Sequence, residues 1–333
     1  MKIILYPEQK DWASLTKRPT LDTSSLEAAV SEVMNAVKQK GDEALRSFTL
    51  RFDGADIENI SSSAKETEEA GNTLDADIKK AILQAKENIY RFHIAQKAPV
   101  QKIETMPGVT CWRRSVGIEK VGLYIPGGSA PLFSTVLMLG IPASIAGCKE
   151  IILCTPPGKD GKIHPAILFA AQTAGITKVF KAGGAQAIAA MAYGTAAIPQ
   201  VYKIFGPGNQ YVTCAKQMAQ REGIAIDMPA GPSEVCVLAD ETAQPSFIAA
   251  DLLSQAEHGA DSQVLFISMS EALAGNVNAE IEKQLAVLPR KDIAVAALAH
   301  SKAIVVKHID EAISLINEYA PEHLIISCRD DEN

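Results

Sequence analysis

Gln255 and His258 stand three residues apart in Ser254-Gln-Ala-Glu-His258-Gly259. If the helical pattern before them runs on to Gly259, the expected C-terminal stop, both side chains share one helix face. An amide oxygen and an imidazole nitrogen so placed could hold half of a zinc site. A helix terminus whose histidine meets the last carbonyls accounts for the same residues without a metal, and spacing alone favours it. A second pair, Glu322-His323, follows Pro321 at the entrance to an apolar run. A carboxylate beside an imidazole suits general acid–base work near neutral pH. Neighbours in a regular strand face opposite ways, so the pair can serve one site only from an irregular turn, which Pro321 permits. A solvated glutamate with a capping histidine is the plainer alternative.

Glycine and proline gather in four further turns: Tyr124-Ile-Pro-Gly127-Gly128-Ser129, Ala182-Gly183-Gly184-Ala185-Gln186, Phe205-Gly206-Pro207-Gly208-Asn209 and Met228-Pro-Ala-Gly231-Pro232-Ser233-Glu234. Glycine lets backbone amides approach a phosphate, and a following helix adds its positive end. None of the four is a GxGxxG fingerprint. Each alone fits an ordinary structural turn; four together tilt the reading toward a nucleotide-sized ligand.

The elements that must position these residues change character along the chain. Residues 1–20 suggest a short strand and a loop. Asp22-Thr-Ser-Ser25 offers N-caps for a helix through Gly41, with Leu26, Val30, Val33, Met34 and Val37 at helical spacing. Further helices are expected over 42–54, 62–70 and 75–96. From Val109 onward, apolar strand-like runs at 121–125, 151–154, 178–181, 201–205 and 235–238 alternate with helix-length segments at 131–146, 164–174, 184–193 and 210–222. After Asp240 the alternation resumes, with helices at 245–258, 271–287 and 309–319 and strands at 263–268, 303–306 and 324–327. Strands apolar on both faces, alternating with helices, indicate parallel sheets covered by helices.

The 333 residues carry 39 acidic and 32 basic side chains, a net charge of -7, which argues against nucleic-acid binding as the main business. The most apolar window, 132–147, falls short of the ~20 residues a membrane span needs, so a soluble, cytoplasmic protein is expected. Six scattered cysteines without a CxxC pair, with Cys148, Cys154 and Cys236 in apolar runs, are expected as buried thiols in a reducing compartment.

In their order and spacing, Tyr124-Ile-Pro-Gly-Gly, Gly184-Ala-Gln186, Gly206-Pro-Gly-Asn209, Gly231-Pro-Ser233-Glu, Ser254-Gln255-Ala-Glu-His258-Gly and Pro321-Glu322-His323-Leu closely resemble the histidinol dehydrogenase family. Arg51-Phe-Asp-Gly54 is similar to the family as well, and the resemblance covers essentially the whole chain. It implies a zinc- and NAD-dependent oxidation of L-histidinol to L-histidine through the aldehyde, the last step of histidine biosynthesis, with two NAD reduced. On the matching positions, Tyr124, Gln186 and Asn209 would contact NAD, and Ser233 would bind substrate. Gln255 and His258 would bind zinc and also lie against the substrate. Glu322 and His323 would be the acid–base pair, with His323 also touching substrate.

The fold so implied is α/β: two incomplete Rossmann-like domains with parallel sheets, one inserted in the other, plus a mostly helical N-terminal region, in a homodimer. Expected boundaries are an arm over 1–21, a discontinuous first domain over 22–122 and 231–333, and an inserted domain over 123–230. In the family the chain continues past the position of Asn333 to supply an Asp zinc ligand, a substrate-binding Glu and a His from the partner subunit. Asp330 and Asp331 do not lie in the family's motif for that ligand. Two of four zinc ligands would then be present, and this polypeptide is expected to bind zinc poorly and turn over slowly or not at all, although its full-length parent would be active. The alternative from another class is a non-catalytic nucleotide-binding or assembly fragment.

Overall fold

A computed structural model describes residues 1–18, 24–127, 131–176, 178–229 and 233–329. Several residues named above fall outside these: the N-cap candidates Asp22 and Thr23, Gly128 and Ser129, Gly231 and Pro232, and Asp330 and Asp331. The described strands are β1 (Lys2–Leu5), β2 (Lys102–Met106), β3 (Val109–Trp112), β4 (Lys120–Tyr124), β5 (Glu150–Thr155), β6 (Lys178–Lys181), β7 (Lys203–Phe205), β8 (Ala225–Ile226), β9 (Glu234–Ala239), β10 (Gln263–Ser268), β11 (Lys302–Val305) and β12 (Leu324–Ser327).

The chain divides into two compact units, residues 22–230 and residues 1–21 with 231–333. One unit is thus inserted in the other, but not at the expected boundaries. Residues 22–122, assigned from the sequence to the discontinuous domain, belong with 123–230. The reason is where their apolar faces go. Val30, Met34 and Val37 of helix Ser24–Lys40 and Leu45 of helix Asp42–Phe48 share one core with Ile188, Met191 and Val212. Ile82 of helix Ala76–Ile94 is buried with Val136, Leu137 and Ile141 of helix Phe133–Ala146. The expected arm over 1–21 groups with 231–333: β1 runs parallel to β11, and Trp12 of helix Gln9–Leu15 is buried against Ile304 and Leu315.

In the unit 22–230 the strand order is β6-β5-β4-β7-β8, all parallel. The order runs outward from β4 to β6 and then reverses to β7, so the topological switch point lies between β4 and β7. Helix Asp42–Phe48 passes into a π-helical turn, Thr49–Asp53, stopped by Gly54 in the left-handed region. A separate antiparallel hairpin, β2–β3, has both strands exposed throughout.

In the unit 1–21 with 231–333 the order is β1-β11-β10-β9-β12, again all parallel. Val264 to Ile267 in β10 are fully buried, as expected of a strand covered on both faces. The hairpin, helix Gln9–Leu15, helix Lys291–Ala299 and the two-residue β8 were not foreseen from the pattern. Among the cysteines, Cys154 and Cys236 are buried as expected, whereas Cys148 is only partly so.

Candidate functional site

The three side chains expected to touch a dinucleotide line one cavity of about 760 Å³ in the unit 22–230. Tyr124 ends β4, Gln186 sits in the first turn of helix Gly184–Tyr193 after β6, and Asn209 caps helix Gln210–Arg221 after β7. All three lie at or beyond the carboxyl ends of parallel strands, the edge at which open α/β sheets bind ligands. Two close approaches shape this edge. Gly206 has φ 130, and a Cβ there would collide with the Tyr124 carbonyl, so the exits of β4 and β7 can touch only through a glycine. Gly184, at φ 59, turns its N–H to donate to the Tyr124 hydroxyl at 3.0 Å.

Tyr124 is buried, and burial, aided by the charge of Asp53, pushes its phenol up to about 12 against the opposing Gly184 bond. It is a neutral donor at physiological pH. Gln186 is 1% exposed, yet its Nε2 has no hydrogen-bond partner among the described residues. Asn209 Oδ1 is occupied by the Tyr211 and Val212 amides at 3.1 and 3.2 Å, which leaves its amide nitrogen for any ligand.

A fourth group was not singled out from the sequence. Asp53, at the end of the π-helical turn, lines the same cavity, and its Oδ2 is buried without a partner among the described residues. Its Oδ1 lies 3.3 Å from where a Cβ on Gly183 would be, while Gln186 Oε1 lies 2.7 Å from the same point on Gly184. Both side chains therefore converge on the Gly183–Gly184 turn. Burial raises the Asp53 carboxyl to about 6. A native protein rarely leaves a buried donor and a buried acceptor unpaired in one cavity unless something else pairs with them. The only signal in the sequence was Arg51-Phe-Asp-Gly54, whose pattern alone names no role for the aspartate.

The remaining site residues gather at the opposite, amino-terminal edge of the other unit's sheet. Ser233 immediately precedes β9 and Glu322-His323 immediately precede β12, the neighbouring parallel strand. Glu234 therefore opens a strand, whereas Tyr124, Gly183 and Gly206 stand at or just after the ends of β4, β6 and β7. Glu322 and His323 are exposed in an irregular bend, with Ala320 in the left-handed region at φ 47 just before Pro321. The Glu322 N–H donates to Glu234 Oε1 at 2.9 Å, and His323 Nδ1 lies 3.1 Å from the Glu234 carbonyl oxygen. Burial would raise the Glu234 carboxyl, but bonds from Arg18, the Glu322 amide and Tyr319 hold it below the ordinary carboxylate range.

Gln255 is in the last turn of helix Pro245–Ala256, which packs on β9 and β10 and ends at the same edge. The helix stops at Ala256, short of the expected Gly259, so His258 lies in the turn beyond it, exposed. The His258 N–H reaches only back to the Gln255 carbonyl, at 3.2 Å, a tightened final turn that differs from the uninterrupted helix face read from the spacing. Among the described residues, no three His, Cys, Asp or Glu side chains group to hold a metal ion.

The described residues thus carry a polar cavity at the carboxyl edge of one parallel sheet and a carboxylate–imidazole pair at the amino-terminal edge of the other. The sequence model described as histidinol dehydrogenase matches residues 16–333, and the chain belongs to that family. The histidinol dehydrogenase of Bacteroides thetaiotaomicron is 59% identical over 326 residues, covering 98% of this chain and 76% of the relative. That of Bacteroides fragilis is 58% identical, covering 99% and 77%. The crystal structure of histidinol dehydrogenase from Elizabethkingia anophelis superposes with a TM-score of 0.97 at 51% identity, covering all of this chain and 77% of that one. No helix among the described residues is long and apolar enough to cross a membrane.

Proposed function

We propose that this chain oxidises L-histidinol to L-histidine by way of the aldehyde, passing two hydrides in succession to NAD, as the last step of histidine biosynthesis. The observation that carries the reading is the cavity at the β4/β7 switch point, where a buried amide donor and a buried carboxylate acceptor have no partner among the described residues. A dinucleotide rich in hydroxyl and amide groups fits both. Tyr124, as a neutral phenol, donates to it; the Gln186 amide and the Asn209 nitrogen hold its polar groups; Asp53 accepts. NAD itself supplies the hydride acceptor.

In the other unit, His323 takes the alcohol proton as hydride leaves, and Glu322 activates the water that adds to the aldehyde. Ser233, on the adjacent strand entrance, bonds the substrate beside them. Zinc, when bound, orients the substrate amine and imidazole. Gln255 and His258 would hold it, supplying two of the four donors such a site takes. A second copy of this chain completes the assembly. The exposed β2–β3 hairpin, with Ile103, Met106, Val109 and Trp112 open to solvent, supports that part of the reading, since an isolated two-stranded hairpin is marginal in water. The buried thiols Cys154, Cys214 and Cys236 suit a reducing, cytoplasmic setting. The non-catalytic alternative is not favoured, because such a fragment has no use for both an orphaned polar cavity and an acid–base turn.

Histidinol-dependent formation of NADH by the full-length protein, followed by absorbance in the presence of zinc, tests the proposal. The expected result is two NADH per histidinol consumed; absence of any signal overturns it.

A further inference from the structure

We propose that Glu234 is the positioning residue of the acid–base turn, and that it fixes His323 as a base acting through Nε2. The inference rests on the roles given above to Glu322 and His323.

Glu234 opens β9 and its side chain is 9% exposed. Its Oε1 accepts from the Glu322 N–H at 2.9 Å and from Arg18 Nη2 at 2.8 Å. Its Oε2 accepts from Arg18 Nε at 2.5 Å and is 3.2 Å from the Tyr319 hydroxyl. Arg18 Nη2 also reaches the carbonyls of Tyr319 and Ala320, at 2.7 and 3.1 Å, and the guanidinium lies over the Tyr319 ring. The paired charges therefore grip Tyr319, Ala320 and Glu322 in a segment of four residues. Such a grip is what the backbone here requires: Ala320 is a non-glycine residue at φ 47, a conformation that persists only where its surroundings impose it.

The main chain of Glu234 completes the arrangement. Its carbonyl oxygen lies 3.1 Å from His323 Nδ1, and a carbonyl can only accept. Nδ1 must carry the hydrogen, so neutral His323 keeps its lone pair on Nε2. The His323 carbonyl is held in turn by the Cys236 N–H at 2.9 Å. One residue thus places the carboxylate-bearing backbone through its side chain and selects the imidazole tautomer through its main chain. A glutamine at 234 would turn an amide NH₂ toward donors and lose one anchor; an aspartate would keep the charge one methylene short.

Nitrogen-15 NMR of the imidazoles in the unmodified full-length protein, with the His323 signals assigned by their loss in His323→Asn, tests the tautomer directly. Protonated Nδ1 and unprotonated Nε2 are expected; the reverse overturns the inference without any folding variant being needed. In turnover assays Glu234→Gln should lower kcat roughly 10- to 100-fold, the size expected when a supporting bond to a reacting group is lost. The NAD dissociation constant should stay within about twofold, and Glu234→Asp should recover part of the rate. A Glu234→Gln kcat within twofold of the parent, or a loss matched by weakened NAD binding, overturns it. Wild-type turnover in His323→Asn would instead sink the acid–base reading on which the inference rests.

Discussion

Replacing Asp53 by asparagine is expected to stabilise the protein at neutral pH while weakening its hold on NAD. Burial raises this carboxyl from 3.8 to about 6, so the folded state resists its ionisation. The raised value makes the sign clear. Below about pH 4 the group is protonated whether folded or not and contributes nothing. Between about pH 4 and 6 the unfolded chain ionises first, and above 6 the folded state bears the full cost. A shift of about 2 units at about 1.4 kcal/mol each amounts to about 3 kcal/mol. Asp53 is only partly buried, and Arg51 lines the same cavity, so screening reduces this to about 1–2 kcal/mol. For a unit of this size that is roughly 2–8 °C in Tm. The assay is a thermal melt of wild type and Asp53→Asn at pH 4 and pH 7, paired with NAD titration by calorimetry at pH 7. The gain in Tm should be present at pH 7 and absent at pH 4, with NAD bound about tenfold less tightly, the loss expected for one hydrogen bond to a charged group. An equal gain at both pH values, a loss of stability at pH 7, or unchanged NAD affinity would refute the reasoning.

Four further outcomes follow from the geometry. Gly206→Ala places a Cβ against the Tyr124 carbonyl at a φ of 130 and should destabilise by about 2–4 kcal/mol in urea unfolding, with NAD affinity falling as well. Ser63→Ala removes the hydroxyl that accepts from the Glu66 N–H in a reciprocal capping box, and should cost about 1 kcal/mol. At Glu66, burial is outweighed by Lys181 and the Ser63 bonds, which hold its carboxyl low, so its contribution is present near neutrality and lost as pH falls below the ordinary carboxylate range in an acid titration of stability. If a second copy covers the β2–β3 hairpin, Trp112→Ser combined with Ile103→Ser should shift sedimentation from dimer toward monomer; an unchanged dimer would place the interface elsewhere.

The α/β alternation was legible because buried parallel strands read as short apolar runs whatever they pack against. Strands at 178–181, 263–268 and 324–327 and helices at 184–193 and 309–319 lie at the bounds expected from their sequence. The hairpin escaped notice because its residues are exposed on both faces and carry no clean alternation. Helix Lys291–Ala299 follows Pro289-Arg290 without a capping side chain, so nothing local announced it.

By itself the sequence determined the elements and the chemical types at their ends: which turns carry glycine, where Glu322-His323 and Gln255 with His258 stand, and that Tyr124, Gln186 and Asn209 each terminate or begin an element. Only the tertiary structure decided which elements share a core. Helices within 22–96 pack with the strands that follow them, because their apolar faces match that core and sequence adjacency carries no such information. Tertiary structure alone also brought Asp53 from a π-helical turn to the Gly183–Gly184 loop, and Arg18 and Glu234, 216 positions apart, onto one turn. Burial and unpaired hydrogen-bonding capacity are properties of surroundings, and surroundings exist only once the chain has folded.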